Sequence, residues 1–333
     1  MKLIQQSKPN ADNSQWAILA GLRFALAATV VFYHSWVVFG QRYPFVQSCP
    51  AESAVVCFFL ISGFSISHSV DKRPKGYIGR RMLRILPIYA TCFILALAPY
   101  LFFNDMTTAG GVSFPVPSAW CIFYSAFMLQ GVFGTAFLTF APSWTLVIEE
   151  FYYLLAPRIF RLPVYVLVIY ASASAIVFRF HFAGPKVQLV NWFLLGGFWV
   201  AGMILYRCRS WWATAFAASI CIGAASGFNF MSTPQSYTML LLTIAAIRFG
   251  SLATLPSMLI KALVYLGDIS FPLYLSHFAV MVFLYQIVDR LSGPGVYAVA
   301  TLGVSAAIYH LVDVPIRKRK KSAPQLIAAL TSV

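Results

Sequence analysis

Apolar residues run in long unbroken stretches along this chain, and polar residues gather in short clusters between them. Such stretches lie near 16–39, 51–70, 85–103, 143–160, 163–180, 189–206, 211–230, 236–250, 263–288 and 293–314. Most approach or exceed the roughly 17 to 25 residues a helix needs to cross a hydrocarbon core. Lipid cannot satisfy backbone N–H and C=O groups, so a spanning segment is a helix or a strand of a closed barrel. Barrel strands alternate apolar and polar positions; these stretches do not. The pattern predicts an all-α fold, a polytopic membrane bundle of about ten transmembrane helices.

One region breaks the rhythm. The loop NDMTTAGGVSFPVPS occupies 104–118, and the apolar stretch 119–140 behind it is interrupted by Gly131 and Gly134. A crossing there would put every later cluster of positive charge on the wrong side. The segment is therefore predicted to re-enter from, or lie on, the outer face. No internal repeat, heptad pattern or low-complexity tract divides the chain. A single domain over 1–333 is expected, with a core at about 16–318 and a basic cytoplasmic tail at 317–333.

Composition agrees with a lipid solvent: 60% of residues are hydrophobic and 10% charged, against roughly 25% charged in soluble domains. A net charge of +15 in a soluble protein would point to nucleic acid, but its distribution points to topology, and no nucleic-acid partner is expected. With the N-terminus in the cytoplasm, the inner side holds Lys2, Lys8, Lys72, Arg73, Lys75, Arg80, Arg81, Arg84, Arg158, Arg161, Arg207, Arg209, Arg248, Lys261, Arg317, Lys318, Arg319, Lys320 and Lys321. Those are 19 of the 24 Lys and Arg residues; Arg42, Arg179, Lys186 and Arg290 fall outside, and Arg23 lies within the first span. The positive-inside rule then places both termini in the cytoplasm. The opening MKLIQQSKPN is too polar for a signal peptide, so the first span is expected to be retained as an anchor. The six cysteines lack metal-site spacing and read as small apolar fillers; no metal is expected.

Ionisable groups inside a span cost about 2.5 to 3.5 kcal/mol each on insertion scales, so each asks for a reason. In GLRFALAATVVFYHSW, Arg23 and His34 are eleven residues apart. That is almost three helical turns, which puts them on one face about 16 Å apart. Snorkelling to the headgroups is the plain alternative for Arg23, and a hydrogen-bonded packing role for His34. Arg81 and Arg84 share a face if a helix runs through them, and with Arg80 they would form a cationic site suited to phosphates. Anionic lipid is the competing partner. Glu149 and Glu150 diverge by about 100° around a helix, so one at most points squarely into a given cavity, where it should meet Arg, Lys or His. His277 reads as a packing histidine, His68 and His310 as interfacial or structural, and Asp313 as a partner for local cations.

In order, these segments resemble the acyltransferase 3 family of bacterial membrane O-acyltransferases. The matching pieces are Arg23 and His34 with ten residues between them, FFLISGF at 58–64, the RRMLRILPIY run that contains Arg81 and Arg84, SWTLVIEEFYYLLAP around Glu149, GDISFPLYLSHF around Asp268, and the closing YHLVDVPIRK. The resemblance covers 16 to about 318. The family often carries an acidic residue just before the double Phe, where this chain has Val56 and Cys57; Glu52 lies about one turn earlier. The closing pattern commonly has Glu where Asp313 stands.

The resemblance implies a multi-pass protein of the bacterial inner membrane that moves an acyl group, typically acetyl, from cytoplasmic acyl-CoA to a hydroxyl of a cell-surface or exported glycan or glycolipid, at or beyond the outer face. Acyl-CoA is a donor substrate, and no permanently bound cofactor is expected. The donor's phosphates would dock on Arg81 and Arg84, its pantetheine arm would pass Arg23, and His34 would act as base, oriented by Glu149 or another carboxylate, or else form an acyl-histidine. A transporter whose charges line a path, or a non-catalytic partner of polysaccharide export, is the competing class.

Overall fold

The structure, a computed structural model, describes residues 9–40, 46, 48–181, 188–288 and 293–318. Lys2, Lys8, Arg42, Lys186, Arg290, Arg319, Lys320 and Lys321, which contribute to the charge argument, lie outside the described residues.

Helices dominate: α1 (Pro9–Phe39), α2 (Ala51–Lys72), α3 (Tyr77–Leu97), the short α4 (Pro99–Phe102) and α5 (Ala119–Ala126), then α6 (Ser143–Ile159), α7 (Val164–His181), α8 (Gln188–Cys208), α9 (Trp211–Ala225), α10 (Pro234–Phe249), α11 (Ser257–Ile287) and α12 (Pro294–Ile308). Two two-residue strands, β1 (Met106–Thr107) and β2 (Ser113–Phe114), pair antiparallel. Among the described residues, five segments are long and apolar enough to cross a membrane: Asn13–Phe39, Ala51–Lys72, Tyr77–Phe102, Ser257–Ile287 and Pro294–Lys318. Val164–Phe180 and Trp211–Ala225 are apolar but shorter.

Local chemistry sets several boundaries. Ser118 caps α5 by accepting from the Cys121 N–H at 3.2 Å, and Thr233 caps α10 by accepting from the Ser236 N–H at 3.2 Å. Pro234 and Pro294 stand in the first turns of α10 and α12, where a missing N–H costs nothing. The last helix continues as a π-helical turn at Tyr309–Asp313.

Stretch 119–140 is not one long helix. After α5 the chain turns through Gly131, whose φ of 97° stops any L residue from continuing a helix, and ends in a 3-10 turn at Leu138–Phe140. Its polar groups are held against α3. The fully buried Gln130 donates to the Tyr89 hydroxyl (2.8 Å) and to Ser143 Oγ (3.1 Å), Tyr89 donates to the Ser125 carbonyl (2.6 Å), and Thr139 donates to the Ala96 carbonyl (2.7 Å).

Two close helix pairs frame the bundle. α2 and α8 meet backbone to backbone: a Cβ on Gly63 would lie 1.8 Å from the Trp199 carbonyl oxygen, and one on Gly202 would lie 2.1 Å from that of Leu60. Only glycine fits either position, the small-residue packing that lets membrane helices approach without a hydrophobic drive between them. α1 runs along α11, where a Cβ on Gly267 would lie 2.5 Å from Ala20 Cβ. The β1–β2 hairpin sits over the far end of this second pair. Thr108 and Gly110 bond the Val37 carbonyl, and Met106 and Phe114 are buried with Val37, Val38, Phe278 and Met281.

Candidate functional site

A cavity of about 950 Å³, counting its open mouth, lies among α1, α2, α3, α6 and α11. Arg23, Arg81 and Arg84 bring three guanidinium groups to it, against the single carboxylate of Glu149. Its remaining wall is largely apolar or aromatic, including Phe58, Phe59, Ile66, Phe271 and Tyr274. The α3 helix does run through 81 and 84, so the three-residue spacing delivers both side chains to the same opening.

Each cation is held differently. Arg23 donates to Ser65 Oγ at 2.6 Å. Arg81 lies 5.8 Å over the Tyr153 ring and 6.0 Å from that of Tyr77. Arg84 makes no hydrogen bond or ion pair among the described residues, so its five donors stay free for a ligand. Arg80 does not join the group expected for it. About 100° further round the helix, it donates to the carbonyls of Lys75 and Arg73 and braces the loop before α3.

Glu149 points into the cavity and Glu150 does not, as their angular offset requires. The expected ionic partner of Glu149 is replaced by a phenol: it accepts from Tyr153, one turn along, whose hydroxyl in turn accepts from Ser62 at 3.1 Å. No salt bridge joins Glu149 to an arginine among the described residues. Glu150 is buried, with no hydrogen bond to either carboxylate oxygen.

His34 lies beyond the cavity rather than in its wall, because three turns of helix carry it past the end of the space that Arg23 lines. Its partner is not Glu149. His34 Nδ1 is 2.9 Å from Nε2 of His277, and the edge of Phe278 abuts its ring at 5.0 Å and 87°. His277 is fully buried, with Nδ1 2.8 Å from the Tyr274 carbonyl. Tyr274 thus touches both places: its ring lines the cavity and its carbonyl fixes the histidine pair. Phe114 of the hairpin packs in turn on Phe278 at 5.9 Å. Composition and spacing alone held no sign of this pairing, which joins positions 243 apart; the one available signal was that α1 and α11 each carry a mid-span histidine.

Asp313 meets the cations expected of it. Arg317 Nε donates to it at 2.8 Å, and Arg317 also bridges to Asp268 at 3.0 Å. Glu52 sits in the first turn of α2, and Val56 and Cys57 are buried in the core, so no acidic group occupies the position before the double Phe. All six cysteines are free.

The acyltransferase domain family matches residues 16–310, which includes every residue of the cavity and the histidine pair. The chain belongs to the acyltransferase 3 family. It is also similar to a protein of Acidianus two-tailed virus named "Putative acetyltransferase ORF330", with 25% identity over 287 residues, 78% of this chain and 81% of the viral one. No solved structure matches it. Family membership and the five long apolar helices make this a membrane acyltransferase.

Proposed function

We propose that this acyltransferase 3 protein of the inner membrane moves an acyl group, acetyl as the name of the viral relative suggests, from cytoplasmic acyl-CoA to a hydroxyl of a cell-surface or exported glycan or glycolipid. The observation that carries this reading is the convergence of Arg23, Arg81 and Arg84 on one cavity with otherwise apolar walls. Guanidinium forks match phosphate oxygens in charge and shape, and the apolar wall suits a slim acyl-pantetheine arm. Arg81 and Arg84 hold the donor's phosphates, Arg23 lies deeper along its arm, and Glu149 helps fix the cavity through Tyr153.

Chemistry takes place at His34. Its free nitrogen accepts the proton of the acceptor hydroxyl as the new C–O bond forms; the C–S bond breaks, and the proton passes to the leaving CoA sulfur. In this reading the whole chain acts as one unit, all ten longer helices cross the membrane, and both termini and the arginine mouth face the cytoplasm. Support for α7 as a span comes from Tyr165, Ile169, Ile176 and Phe180, which form an exposed apolar stripe on one face and would suit lipid rather than water.

The test is transfer of radiolabelled acetyl from acetyl-CoA into carbohydrate by membranes carrying the parent or His34→Gln at matched levels. Glutamine keeps a polar side chain of similar reach but takes no proton, so incorporation should fall by about 10² to 10⁴, the usual worth of a general base. Near-parent incorporation by His34→Gln would remove His34 from the chemistry. A transporter, by contrast, would release no CoA thiol at all.

A further inference from the structure

A carbonyl oxygen only accepts, so the carbonyls of Tyr274 (2.8 Å) and Leu273 (3.2 Å) place the proton of His277 on Nδ1. With the ring neutral, Nε2 of His277 then carries a lone pair. That lone pair faces His34 Nδ1 at 2.9 Å, so His34 must donate from Nδ1. Its own lone pair is left on Nε2, which makes no hydrogen bond among the described residues. The ring geometry agrees. The planes differ by only 10° and the centroids are 5.2 Å apart, close to the largest separation that a 2.9 Å bond between two ring nitrogens allows. The rings therefore lie edge to edge in nearly one plane, as a straight N–H···N bond requires.

We infer that His277 is a positioning residue that sets the tautomer of His34, turning the basic nitrogen of His34 away from the pair and toward the acceptor. This rests on the proposed role of His34 as base. Which imidazole nitrogen carries the proton is set by the bond the other one makes. Without an acceptor beside Nδ1, nothing holds the proton there, and His34 is free to carry it on the nitrogen that should be basic. The relay is one-way: α11's own backbone orders His277, and His277 orders His34. Phe278 packs against both rings, at 5.0 Å from His34 and 5.8 Å from His277, and is itself backed by the hairpin's Phe114.

The experiment uses full-length protein in nanodiscs with ¹⁵N-labelled histidine, the His34 signals being assigned by their loss in His34→Gln. The ¹⁵N shifts report which nitrogen bears hydrogen. Parent protein should show His34 protonated on Nδ1. His277→Gln, whose carbonyl oxygen can stand where Nε2 stood, should keep that state and keep acetyl transfer within about tenfold of the parent. His277→Leu removes the acceptor; it should lose the Nδ1–H state and lower kcat at least about tenfold, within the worth of a general base, with KM for acetyl-CoA unchanged. A parent spectrum with His34 protonated on Nε2 overturns the inference, and does so even if His277→Leu fails to fold. So does a His277→Leu variant with parent activity while His34→Gln is inactive. Activity in His34→Gln would instead sink the assignment of His34 as base and leave the spectrum to decide the tautomer.

Discussion

Replacing Arg84 by glutamine removes one of three guanidinium groups from a cavity that holds a single carboxylate, so the formal charge there falls from +2 to +1. Because Arg84 has no hydrogen bond or ion pair among the described residues, the change breaks no such bond there. In the proposed reading it removes a charged hydrogen bond to the donor, worth about 1.5 to 3 kcal/mol. At about 1.36 kcal/mol per factor of ten, CoA binding should weaken by roughly 10-fold to 150-fold. Arg81 is the poorer choice for a single substitution, since its contacts with Tyr153 and Tyr77 would be lost as well. Calorimetric titration of CoA into nanodisc-embedded protein, at fixed low salt, measures the effect directly. Arg80→Gln is the control: it loosens the loop before α3 but should leave CoA affinity at the parent value, because Arg80 serves backbone carbonyls. Parent affinity in a folded protein carrying both Arg81→Gln and Arg84→Gln would refute the donor site outright.

Topology and packing offer two further predictions. Single cysteines placed in 104–118, in a background without native cysteines, should react with an impermeant thiol reagent in intact cells, while cysteines near either terminus react only after lysis; the reverse pattern would invert the bundle. Gly202→Ala should lower the midpoint of thermal unfolding in detergent, because the added methyl meets the Leu60 carbonyl at 2.1 Å and such overpacking costs about 1 to 3 kcal/mol. Gly223→Ala, where the new methyl meets nothing within 4 Å, should instead hold or slightly raise it. Equal midpoints for the two would mean that α2 and α8 are not in backbone contact.

Local periodicity carried much of this architecture into the sequence. The long apolar runs marked the helices because hydrocarbon leaves no other backbone solution, and the three-residue step from Arg81 to Arg84 put both on one side of α3. The same arithmetic applied one residue earlier separates Arg80 from them, yet charge alone had grouped all three. Stretch 119–140 was visible as interrupted but not as folded. What holds it is Gln130 reaching Tyr89 and Ser143, a network made of residues far apart in the chain. His277 shows the same limit more sharply: on its own helix it has the spacing of a core residue, and only the packing of α11 on α1 gives it a histidine to bond. Equal angular position did bring Arg23 and His34 to one face. It could not tell where along that face the cavity would end.

The glycine contact between α2 and α8 has a mechanical side. Helices that touch through their peptide groups cannot slide or tilt apart by rearranging side chains, so the wall that bears Ser62, Ser65 and Phe58 is stiff. The opposite wall begins differently. α3 starts after Gly76, whose φ of 64° favours glycine, in the loop that Arg80 braces, and its Gly79 has open space where a side chain would stand. A guest in the cavity therefore meets a fixed backbone wall on the α2 side, and its fit is decided by the side chains that α3 and α11 turn toward it, Arg81, Arg84 and Phe271 among them.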